Sequence, residues 1–120
     1  MRRILVFDIG LWVILLLSSC SPKGIVVTIE NKSGHKVKNI VLRYTGGEKE
    51  VREIKNNTSW TGKIIPNGES HLEIDFIYQQ NSKHHSEIDT YFEEGYQGRL
   101  IITIGQNGEV RFRDDVRTGY

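Results

Sequence analysis

The residues best suited to chemistry stand close together in the second half of the chain. His84 and His85 are adjacent, with Glu87 and Asp89 following at alternate positions. Imidazole nitrogen and carboxylate oxygen are donors that hold zinc or copper, provided a fold brings at least three of them to one point. Adjacent histidines on a strand point to opposite faces, and in a loop both are simply solvated. A second pair of acids, Glu73 and Asp75, shares one face of a strand at a separation of about 7 Å, a spacing that glycosidase carboxylates adopt. Alternating acids on a wet sheet face also serve solubility alone. His35 and His71 stand apart from these groups. Ser70 and His71 are neighbours on a strand, so their side chains diverge, and the sequence has no Gly-x-Ser-x-Gly elbow to present a nucleophile. Gly46-Gly47 and Gly105-Gln106-Asn107-Gly108 are hairpin punctuation, since neither leads into a helix that could receive a phosphate. The reading is therefore of a protein that is not an enzyme, needs no cofactor, and has one candidate metal cluster.

Tyr91, Phe92 and Tyr96 surround Glu93-Glu94-Gly95. Exposed beside the polar stretch Gln79 to Ser86 they form a recognition patch for a partner. Alternatively, Tyr91 or Phe92 plugs one end of a thin core while Tyr96 covers a turn.

The N-terminus carries a different signal. Met1-Arg2-Arg3 is followed by apolar residues from Ile4 to Leu17, interrupted by Asp8 and Gly10, and then by Ser18-Ser19 before Cys20. A basic start, a short apolar segment and small residues at the end are the parts of a secretory signal. The uninterrupted run Leu11 to Leu17 is far shorter than the roughly 20 residues of a membrane-spanning helix. Leu17-Ser18-Ser19-Cys20 resembles the lipobox of bacterial lipoproteins. The resemblance implies diacylglycerol attachment to the Cys20 thiol and cleavage between Ser19 and Cys20. It also implies a mature protein held by its lipid outside the cytoplasm, at the cell membrane or at the periplasmic face of an outer membrane. Acyl chains hold a protein to a bilayer by about 0.8 kcal/mol per buried CH₂.

At 120 residues there is room for one domain. Cys20 is the single cysteine, so an intramolecular disulfide, a Cys-based zinc site and an iron–sulfur cluster are excluded. The 16 basic and 15 acidic residues nearly cancel, and the leader holds Arg2, Arg3 and Asp8, leaving the remainder without formal net charge. No field of one sign attracts nucleic acid.

These groups must be positioned by strands. Apolar residues alternate with polar ones in Ile25-Val27-Ile29, Ile40-Leu42-Tyr44, Leu72-Ile74-Phe76-Tyr78, Leu100-Ile102-Ile104 and Val110-Phe112, with turn residues between. Short segments at Val51 to Ile54, Ser59 to Ile65 and Glu87 to Phe92 complete the set. No segment beyond Gly24 has helical apolar spacing over three turns. The pattern predicts an all-β fold, a small antiparallel β-sandwich or barrel of about seven or eight short strands. Its expected boundaries are a signal peptide over 1–19, a lipidated N-terminus and tether over 20–24, the β domain over 25–113 and a loose tail over 114–120. The functional expectation is a membrane-anchored lipoprotein whose β domain binds an envelope protein or cell-wall ligand. The alternative is an envelope metal-handling protein that uses His84, His85, Glu87 and Asp89.

Overall fold

The computed structural model describes residues 24–117. Cys20 and the signal segment lie outside them. Eight strands run in the order β1 (Ile25–Asn31), β2 (Val37–Tyr44), β3 (Gly47–Ile54), β4 (Ser59–Ile64), β5 (Ser70–Tyr78), β6 (Ser82–Phe92), β7 (Gln97–Ile104) and β8 (Val110–Arg117), with one 3-10 turn at Gln106–Gly108. They form two four-stranded sheets, β4-β1-β7-β8 and β3-β2-β5-β6. The domain is thus a sandwich. Of the six pairs of neighbouring strands, five are antiparallel, and β1 runs parallel to β7. Both are interior strands of their sheet, where half-buried Val26, Ile101 and Thr103 cover part of the outer face.

The period-two pattern accounts for the core. Ile25, Val27 and Ile29 from β1 and Leu100, Ile102 and Ile104 from β7 meet Leu42, Leu72, Ile74 and Phe76 from the opposing sheet, and all are at most 2% exposed. Each such side chain stabilises the fold by roughly 1.5–3 kcal/mol relative to its exposed state. Val37 and Ile40 are three apart in sequence, yet both are buried. A register shift between Lys38 and Val41 makes this possible, with Asn39 at φ 49 absorbing the extra residue.

Three sequence expectations change. The stretch Gln79 to Ser86, expected as a loop, is a tight turn followed by strand. Gln79, Gln80 and Asn81 take positive φ, and β6 begins at Ser82. Polar side chains are compatible with this strand because β6 is an edge strand whose outward residues meet water, and backbone pairing to β5 is indifferent to them. The third strand likewise begins at Gly47, ahead of Val51. Finally, 114–117 are not a loose tail: Asp114, Asp115 and Val116 pair with Leu100, Arg99 and Gly98, so the sandwich extends past 113. Thr90 Oγ1 donates to Asp114 Oδ2 at 2.6 Å, tying β8 to β6 across the open side of the sandwich. Charged residues on β8 protect an exposed edge from pairing with another chain.

Candidate functional site

The outward residues of β2, β5 and β6 form one polar surface. Strand alternation sends Glu73 and Asp75 outward from β5 and His85, Glu87 and Asp89 outward from β6. Pairing then sets the rows. Asp75 stands opposite His85, and Glu73 opposite Glu87. On the other side of β5, Arg43 of β2 stands opposite Glu73.

Charge complementarity organises this surface around Asp75. Its Oδ2 accepts from Arg43 Nη1, and its Oδ1 meets His85 Nδ1. The hydrogen bond from Arg43 holds the Asp75 carboxyl below the usual carboxylate range, and the bond to His85 adds to that effect against partial burial. In turn, the Asp75 bond raises His85 above the ordinary imidazole value, assisted by the negative charges of Glu73 and Glu87. Arg43 also lies 3.7 Å from Glu48, and His71 Nε2 lies 3.4 Å from Glu73 Oε1. His71, expected to stand apart, therefore borders the same surface. Asp75 accepts from Arg43 and meets His85, and a carboxyl held below its ordinary range is a poor proton donor for a glycosidase pair.

The expected metal cluster is rearranged. Among the described residues, Glu73, His85 and Glu87 each offer a ligand atom, and the three atoms lie within 4.8 Å of one another. His84 does not join them. It points to the opposite side of β6, stacks on Phe76 with ring centroids 5.2 Å apart, and meets Tyr78 edge-on at 5.7 Å. Its ring would lie 2.5 Å from a Cβ placed on Gly108, which has φ 74, so this glycine makes room for the imidazole. Asp89 shares the outward face but is not in the converging group. Glu73 enters from a strand that no local spacing around His85 reveals; only the β5–β6 register shows it.

The aromatic residues divide between two roles. Phe92 is fully buried in the core. Tyr96 packs against the core while half-buried, and Tyr91 is 56% exposed, meeting Tyr96 edge-on at 6.4 Å. The Tyr91 hydroxyl donates to Glu93, and that bond pushes the phenol far above its ordinary value. A patch beside the Gln79–Ser86 stretch does not form. Tyr91 and the β5–β6 turn lie at opposite ends of β6, a strand of 11 residues spanning about 35 Å.

Neither a protein-family model nor a curated protein matches the sequence. A solved structure described as "NMR structure of the protein from Eubacterium rectale" is similar to this chain with a TM-score of 0.56 and 17% identity, covering 77% of this chain and 88% of that one. Similarity at this identity is similarity of fold, and it carries no activity with it.

Proposed function

We propose that this protein is a lipid-anchored lipoprotein of the bacterial envelope whose β-sandwich is a non-enzymatic binding or assembly module. The observation that carries the reading is the spacing from the lipobox cysteine to the first strand. Cys20 stands five residues before Ile25, where β1 begins. A chain of that length reaches at most about 18 Å. Lipid on Cys20 therefore holds one pole of the sandwich near the bilayer, the pole at which β1 starts. Ile25 pairs there with Ile64 and Gly98. Ile65, 47% exposed, follows Ile64, and Tyr91 lies close to Tyr96, the residue before β7. Aromatic and aliphatic groups are suited to a membrane interface.

The opposite pole is built of polar connections, Lys32 to Lys36, Lys55 to Thr58, Gln79 to Asn81 and Gly105 to Glu109. Loops held on a rigid sandwich are the usual carriers of binding residues. A tether this short points that pole away from the bilayer, toward an envelope protein or cell-wall glycan.

Labelling with an alkyne fatty acid in living bacteria tests the anchor. The wild-type protein is expected to take the label and sediment with membranes, and Cys20→Ala to do neither. An uncleaved, unlabelled wild-type chain would overturn the reading.

A further inference from the structure

The outer face of β5 and β6 holds a pair of charges that ought to repel. Glu73 and Glu87 stand directly opposite each other in the antiparallel ladder, where Cβ atoms are about 5 Å apart and like charges destabilise the sheet. The cation best placed to separate them is Arg43, opposite Glu73 on β2, but its guanidinium engages Asp75 and Glu48. The group that does face both carboxylates is His85, with its ligand atom within 4.8 Å of each. Asp75 takes His85 Nδ1, which leaves Nε2 as the nitrogen able to ligate.

We propose that Glu73, His85 and Glu87 bind a divalent transition-metal cation of the zinc type, with Asp75 as the carboxylate that orients the imidazole. One nitrogen and two carboxylate oxygens are a donor set for zinc, whereas magnesium and calcium favour oxygen alone. Ligands of a tetrahedral zinc lie about 3.4 Å apart, from metal–ligand distances of about 2.1 Å. The three donor atoms lie within 4.8 Å of one another, and rotation of their side chains about χ brings them onto the ion while the strands stay fixed. Asp75 on Nδ1 supplies the carboxylate–histidine–metal relay that sets ring orientation and tautomer. Arg43 holds Asp75 in turn. Three protein ligands leave one tetrahedral position to water or to a donor on a docked partner. The site lies on paired strands, so the backbone that carries its ligands is in register before metal arrives. It is independent of the lipid anchor.

Isothermal titration of zinc chloride into the full chain in detergent micelles tests this, in a Cys20→Ser background so that no free thiol competes. About one zinc per chain is expected. His85→Ala, Glu73→Gln and Glu87→Gln should each weaken binding at least about tenfold, and Asp75→Asn about 10- to 100-fold. His35→Ala and Asp89→Asn should leave it unchanged. Nitrogen-15 spectra should show zinc shifting the His85 ring at Nε2. Without zinc, Glu73→Gln should raise the melting temperature by relieving the carboxylate pair, and zinc should then add no stability. Absence of zinc binding, binding unaffected by His85→Ala, or an equal loss in Asp89→Asn would each overturn the proposal.

Discussion

Asn31 closes the core-facing side of β1, and replacing it with alanine should unfasten the pole of the sandwich at which β1 ends. Its side chain is fully buried. Nδ2 donates to the carbonyls of His35 and Ile54, both at 2.8 Å. Oδ1 accepts from the Ser33 backbone N–H at 3.0 Å and from Ser33 Oγ at 2.7 Å. The Asn31 amide thus joins β1 to the end of β3, and Tyr78 of β5 donates its hydroxyl to the Ser33 carbonyl at 3.2 Å, holding the same turn. Asn31→Ala removes four hydrogen bonds and leaves buried groups without partners. Each bond contributes about 1 kcal/mol net, and each buried group left unpaired costs about 1–3 kcal/mol, giving a loss of about 3–5 kcal/mol after partial relaxation. With a urea slope of about 1.5 kcal/mol/M for a domain of this size, the unfolding midpoint should fall by about 2–3 M. Asn31→Asp should be no better, because a carboxylate has no N–H for the two carbonyls and brings a buried charge. The assay is urea denaturation followed by tryptophan fluorescence. A midpoint shift below about 0.5 M at unchanged slope would refute the reasoning.

Gly98→Ala should destabilise the β7–β8 pair by more than about 2 kcal/mol: at φ +138 an added Cβ would lie 2.0 Å from the Asp115 carbonyl oxygen. Hydrogen exchange should show protection lost first in 110–116. Phe92→Ala should cost about 3–5 kcal/mol and Tyr91→Ala less than about 1 kcal/mol, because the first is buried and the second exposed. Comparable losses in thermal unfolding would contradict that division. In the metal-free protein, His85 should titrate above 6.5 by NMR and return toward it in Asp75→Asn. The sign follows from the two directions. The His85 contribution is complete below 6.5 and is lost as pH rises through its raised folded value. That of Asp75 is complete above 3.8 and is lost as pH falls through its lowered one. The pair therefore supports the fold most fully between these two ordinary values, and an unshifted His85 would contradict the contact.

Strand positions were legible because burial of one sheet face imposes a period of two on side chains, as in Leu72, Ile74, Phe76 and Tyr78. The same rule extends to Asn31, two residues past Ile29 and facing the core, but an asparagine beside Lys32-Ser33-Gly34 reads locally as a turn. Its role depends on the carbonyl of Ile54, which is 23 residues away. Hydropathy also failed for β6 and for the end of β8, where edge position lets polar side chains ride on paired backbone. For the polar site, alternation separates His84 from His85 and joins His85 to Glu87. Recruiting Glu73 in place of His84 and Asp89 requires the β5–β6 register, a long-range property set by the turn at Gln79 to Asn81 and by core packing. Arg43 as the holder of Asp75 requires the β2–β5 register as well.

The most direct test of a membrane-held binding module is photo-crosslinking in intact bacteria from one probe at each pole. A photoreactive residue at Gln80 should yield discrete adducts with an envelope protein or cell-wall material, one at Ile65 should yield lipid, and both should vanish with Cys20→Ala. Adducts from Gln80 that persist without the cysteine, or lipid captured from Gln80 and not from Ile65, would contradict the account.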